Sequence, residues 1–154
     1  MIYNIFSKNF EINNKEILFV FDAITKACEN LNVPFFLVGA FARDIIMQHI
    51  YDFSIMRKTG DIDIAIMVEN WSIYEDVKNV LVNEYHFKQG ENIQKLVFNN
   101  YLEVDIIPFG NIEENYTISW PPHFNFMMNM IGYQEVYDSA IPVLLDKKYK
   151  SCQD

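Results

Sequence analysis

The run Asp61-Ile-Asp-Ile-Ala-Ile-Met67, which alternates acid with isoleucine and then turns wholly apolar, restricts the fold more than any other part of the chain. Residues two apart on a strand share a face, so Asp61 and Asp63 stand together while Ile62 and Ile64 point the opposite way. The run therefore reads as a central strand with a charged beginning. Other elements must cover its isoleucine face. Its acidic face needs compensation as well, because two carboxylates held this close repel each other and raise one pKa unless a cation is present.

The remaining segments supply that cover. From Asn14, the residues Ile17, Val20, Phe21, Ile24, Cys28 and Leu31 recur at helical steps, with Asn13 or Asn14 as a cap. Asn32 and Pro34 break this helix, and Phe35 to Val38 reads as a short buried strand ended by Gly39. Ala40 to Tyr51 is helical again, with Phe41, Ile45 and Ile46 on one side, so Gly39 lies on a strand-to-helix turn suited to cradle a phosphate. Trp71, Tyr74, Val77, Leu81 and Tyr85 mark a third helix, with Glu75 and Asp76 in its first half, where the dipole favours acids. Gln94 to Phe98 and Tyr101 to Ile107 are β-rich runs joined by Asn99-Asn100, a pair tolerant of positive φ, and they are expected to be antiparallel neighbours. Further on, Trp120-Pro-Pro-His123 reads as a turn, Phe126 to Ile131 suits a strand or a short helix, and Ile141 to Leu145 looks like half of a hairpin.

This order of elements predicts an α+β fold, a mixed β-sheet with helices packed mainly on one face. At 154 residues and 51% hydrophobic, the chain is expected to form one domain over 1–154, with its core at about 14–122 and 123–154 as the start of a truncated C-terminal part. A formal net charge of -9 opposes non-specific nucleic-acid binding through counterion release. Cys28 and Cys152 form neither a metal spacing nor a disulfide framework. Met1 to Phe10 lacks a signal-peptide pattern, and no run approaches the ~20 apolar residues of a membrane span, so a cytoplasmic protein without membrane partners is expected.

A second acidic strand, Leu102-Glu-Val-Asp-Ile106, places Glu103 and Asp105 on one face. If it lies beside the first, the carboxylates of Asp61, Asp63 and Asp105 converge. Mg²⁺ favours such hard oxygens together with water and phosphate, so the set suits metal-assisted phosphoryl or nucleotidyl transfer. Taken singly, each part has a plainer reading. Asp-x-Asp also suits a solvent-facing acidic edge, Gly39 a simple turn, and Arg43-Asp44 a surface ion pair. In combination, a helix start at Gly39, Arg43 one turn later and the basic loop of Arg57 and Lys58 are the parts needed to hold a triphosphate. His49, His86 and His123 are scattered without metal spacing and are read as ordinary helix or loop residues.

Val38-Gly-Ala-Phe-Ala-Arg-Asp44, Arg57-Lys-Thr-Gly-Asp-Ile-Asp63 and Val104-Asp-Ile-Ile-Pro-Phe-Gly110 resemble the nucleotidyltransferase superfamily with the DNA polymerase β-like fold. They look most like its AbiEii/AbiGii-type toxin branch, over Leu37 to Pro122. The resemblance implies that Asp61 and Asp63 are ligands of Mg²⁺ (or Mn²⁺) and that Asp105 is a third ligand or general base, with Glu103 as runner-up. It implies that Gly39 and Ala40 approach the phosphates of an NTP, with Arg43, Arg57 and Thr59 in support. The implied reaction moves an NMP to a hydroxyl on RNA, protein or a small molecule, in a toxin–antitoxin or abortive-infection protein with an antitoxin-like partner. One departure is Ala40, where the family's turn usually has Gly or Ser; the missing hydroxyl costs one phosphate hydrogen bond, net about 1 kcal/mol. The competing expectation is a catalytically weak or inactive module that keeps the fold and acts by protein–protein binding.

Overall fold

The structure is a computed structural model that describes residues 15–50 and 61–140, with the backbone alone at 48–50. Helix α1 (Lys15–Asn30) buries Val20, Phe21, Ala23, Ile24, Ala27 and Cys28, the stripe its apolar spacing predicts. It stops where Asn32 takes a left-handed φ of 54° and Val33 N–H donates back to the Cys28 carbonyl at 2.8 Å. Strand β1 (Phe35–Val38) runs directly into α2 (Gly39–Ile50). Strand β2 (Asp61–Met67) leads to α3 (Trp71–Tyr85), whose start is capped by Asn70 Oδ1 accepting from Ile73 N–H at 3.0 Å. His86, with φ 64°, forms the left-handed end of α3, a structural role for that histidine.

Strands β3 (Lys88–Gln89), β4 (Lys95–Phe98) and β5 (Leu102–Phe109) complete a five-stranded sheet of order β1-β2-β5-β4-β3. Its central pair, β2 and β5, is parallel, and the other pairs are antiparallel. On one face Ile62 lies opposite Val104 and Ile64 opposite Ile106, all fully buried. Burial of each such isoleucine contributes about 1.5–3 kcal/mol. The helices cover this face. Phe19 of α1 stacks on Phe98 at 5.0 Å, Tyr74 of α3 donates its hydroxyl to the Ile106 carbonyl at 2.9 Å, and Phe41 of α2 meets Phe21 of α1 at 5.6 Å. The α+β class and the mixed sheet with helices mainly on one face are as the sequence pattern predicts.

The hairpin of β4 and β5 differs from expectation by one residue. Tyr101 belongs to the turn, with Asn99 and Asn100 at φ 51° and 63°, so that Phe98 pairs with Leu102. The shift matters because a one-residue slip exchanges the faces of a strand. With this register Lys95, not Gln94, lies opposite Asp105.

A second sheet of two strands pairs β6 (Thr117–Trp120) with β7 (Phe126–Asn129), which resolves the strand-or-helix alternative for Phe126 to Ile131 as a strand. Trp120 packs on Trp71 and Tyr74 at 5.0 and 5.5 Å. A short helix, α4 (Tyr133–Asp138), follows. Its Tyr137 lies 5.9 Å from Phe36 and 5.8 Å from Phe109, on the face of the large sheet opposite α1 and α3. Packing against the sheet thus continues past the expected core end at 122, and Met130 is buried there too. Ile141 to Leu145 lie outside the described residues, and among these no helix is long and apolar enough to cross a membrane.

Candidate functional site

The parallel pairing of β2 with β5 sets Asp61 opposite Glu103 and Asp63 opposite Asp105. Neighbouring strands lie about 4.8 Å apart, so the four acids form two adjacent ranks on one face. The alternation that buries Ile62 and Ile64 is what delivers them. Asp61 is exposed, whereas Asp63, Glu103 and Asp105 are half-buried.

Gly39 is drawn into the same site through β1. Val38 pairs with Asp63, so the residue after it meets the Asp63 side chain. A Cβ at Gly39 would overlap Asp63 Oδ2 and lie 3.2 Å from Cγ, and its φ of 74° is left-handed. Both conditions require glycine. The positive end of α2 therefore begins against the Asp63 carboxylate, where aligned backbone N–H groups favour negative charge. Ala40 follows in the first helical turn, half-buried. Arg43 is 72% exposed, with Nη2 3.5 Å from Asp44 Oδ1, so the structure seats it in the surface ion pair. Arg57 and Thr59 lie outside the described residues.

Two further groups border the acids and were not picked out from the sequence. Lys95 Nζ donates to Glu103 Oε2 at 2.7 Å and lies 3.3 Å from Asp105 Oδ1, with only 17% of its side chain exposed. The hydrogen bond to Glu103, together with the charge of Asp105, holds its ammonium above the usual lysine range. The pairing of Phe98 with Leu102 sets Lys95 opposite Asp105, whereas a two-residue turn at Asn99-Asn100 would set Gln94 there. The second group is Tyr133 of α4, whose phenol is pushed up first by burial and second by the negative charge of Asp63. No local pattern around Tyr133 signals this approach, because only the return of α4 across the sheet creates it.

Asp105 Oδ1 is buried and accepts no hydrogen bond among the described residues, its one close compensation being the Lys95 ammonium. A buried carboxylate oxygen with only an ammonium at 3.3 Å, beside a registered pair of acids, fits a hard divalent cation, which takes oxygen ligands of this kind. As they stand, the acids share a face without sharing a point: among the described residues no three of His, Cys, Asp and Glu are grouped to hold a metal ion. Asp61, Asp63 and Asp105 are the residues that would hold one.

No family model matches the chain, and no curated protein sequence matches it. Among solved structures it is similar to the Thermotoga maritima CCA-adding enzyme complexed with tRNA-CCA, at 23% identity and a TM-score of 0.42, over 62% of this chain and 21% of that one. It is also similar to a CCA-adding enzyme in complex with CTP, at 24% identity and a TM-score of 0.42, over the same shares. The chain thus spans about a fifth of the length of the solved chains it matches.

Proposed function

We propose that the protein is a divalent-metal-dependent nucleotidyltransferase that moves an NMP from an NTP to a hydroxyl acceptor. The observation that carries this reading is the register that seats Asp63 beside Asp105 and against the glycine that opens α2. Carboxylates and a helix start then meet at one place, the former able to hold a cation and the latter a phosphate. The motif resemblance around Val38, Asp61 and Val104 supports the same chemistry.

In this reading Asp61 and Asp63 hold Mg²⁺ (or Mn²⁺). When bound, the cation neutralises phosphate charge and stabilises the charge that develops on the reacting oxygens. Asp105 completes the ligand set or, as general base, takes the acceptor's hydroxyl proton. The acceptor oxygen bonds to the α-phosphorus, the bond to the bridging oxygen breaks, and pyrophosphate leaves with the electron pair. The backbone at Gly39 and Ala40 faces the phosphates, and Arg43, Arg57 and Thr59 assist in binding them. For Arg43 this requires leaving Asp44, which the 72% exposed arginine side chain is free to do, although the Asp44 side chain is only 17% exposed. RNA, a protein or a small molecule is the acceptor class, and with a net charge of -9 an RNA acceptor would need assistance to bind tightly.

The test is calorimetry of NTP binding with Mg²⁺. Asp61→Ala combined with Asp63→Ala is expected to abolish metal-dependent binding while the fold persists, because neither side chain belongs to the buried core. Unchanged binding in the double variant would remove the assignment.

A second reading is favoured by the apolar surface of β7 and α4. There Phe126, Met127, Ile131 and Val136 are 48%, 62%, 69% and 52% exposed, respectively. Exposed apolar side chains such as these suit a protein partner of the antitoxin kind, with the acids retained in a weak or inactive module. Incubation with each labelled NTP and total cell RNA or protein separates the two. A labelled acceptor supports the enzyme, whereas silence with stable capture of one partner supports the module.

A further inference from the structure

We propose that Lys95 is a built-in counter-cation that occupies Asp105 in the metal-free protein and yields it on metal binding, so that Lys95 sets the affinity of the site for divalent ions. This rests on the nucleotidyltransferase reading above. The two contacts of the ammonium are unequal. Glu103 Oε2 accepts a hydrogen bond from it at 2.7 Å, whereas Asp105 Oδ1 lies at 3.3 Å and, among the described residues, accepts none. Glu103 is thus the anchor of Lys95, and Asp105 is the weaker, more distant of its two partners. That division separates the two candidate third acids, since Asp105 is the one whose buried oxygen a stronger cation would satisfy.

The strand pairing makes the exchange feasible. Lys95 and Asp105 face each other across β4 and β5, while Asp63 lies opposite Asp105 on its other side, so that Asp105 stands between a resident monovalent cation and the metal ligands. Lys95 also borders an open groove lined with Lys88, Gln89, Asn92, Tyr101 and Glu103. With Lys95 in place, the apo site carries less net negative charge and its acids repel one another less. The same positive charge opposes an incoming divalent ion.

The experiment is Mn²⁺ calorimetry on the full chain, paired with thermal melts with and without Mn²⁺. Lys95→Met is expected to bind Mn²⁺ about tenfold more tightly, the scale expected when a unit charge is removed from beside a divalent ion at a partly solvated site. Its metal-free melting temperature is expected to fall and to be restored by Mn²⁺ more fully than that of the wild type. Lys95→Arg, which keeps the charge, is expected to bind like the wild type. If Lys95→Met loses its near-ultraviolet circular dichroism, Lys95→Gln carries the same expectation. Binding to both proteins with the uncharged variant no tighter, or weaker, would overturn the role of Lys95 alone. Absence of Mn²⁺ binding in both would overturn the metal site itself, and this inference with it.

Discussion

The two faces of the central sheet are built from alternate residues of the same strands, yet they obey opposite rules. On the helix-covered face Ile62, Ile64, Val104 and Ile106 are 0–1% exposed and belong to one buried apolar cluster, with the Tyr74 hydroxyl donating to the Ile106 carbonyl. One residue along, Asp61, Asp63, Glu103 and Asp105 keep contact with solvent, and the described compensation on β5 is a single shared ammonium. The far end of that second face returns to apolar character, where α4 lays Tyr133 and Tyr137 over Phe36 and Phe109. Only half of one face is therefore left for charge. Stability and chemistry are separated by a single step along the chain.

The largest effect that tests this separation belongs to the covered face. Ile64→Ala deletes a fully buried side chain on the central strand, opposite Ile106 of β5, and is expected to cost about 2–5 kcal/mol in chemical denaturation. Its neighbour Asp63, replaced together with Asp61, is expected to leave the folded state intact. A loss below about 1 kcal/mol at Ile64 would mean that the two faces do not divide their duties.

Gly39→Ala comes next, because it acts on both sides of the division. Its left-handed φ costs about 1–3 kcal/mol in a non-glycine residue. The added methyl also falls on the Asp63 carboxylate, which must move. Denaturation should show the loss of stability, and calorimetry should show weakened metal-dependent NTP binding in the same protein. Weakened stability with unchanged binding would place the nucleotide away from the start of α2.

Much of this was legible in the chain. The period-two alternation at Asp61 to Ile64 determined which side chains share a face, and the spacing in α1 and α3 determined what covers the other. The neighbouring of β2 and β5 was conditional in the sequence, since nothing local states which strands pair; the fold supplies it through a parallel crossover by α3, β3 and β4. Lys95 was overlooked because Asn99-Asn100 suggests a two-residue turn, and the third turn residue, Tyr101, reverses which side of β4 faces the acids. Tyr133 reaches Asp63 through tertiary packing of α4 on Phe36 and Phe109, for which no sequence spacing is diagnostic.

The smallest effect tests how completely the covered face excludes water. Cys28 on α1 is fully buried, and its thiol is pushed up from 9.0 to about 12, mainly by burial and secondarily by the charge of Glu29. Between those values the folded protein retains a proton that the unfolded chain has lost, so the folded state binds more protons and stability falls as pH rises. The contribution of the neutral thiol is therefore fully present below pH 9 and is lost as pH climbs toward 12. Cys28→Ala removes this contribution along with a little packing. The wild type should be the more stable at pH 7, and its advantage should shrink steadily above pH 9 in matched denaturation curves. An advantage that stays constant with pH would show the thiol ionising as readily in the folded protein as in the unfolded chain. Solvent would then reach the face that Ile62 and Ile64 are taken to seal, and the contrast with the acid-bearing face would be one of residue type rather than of hydration.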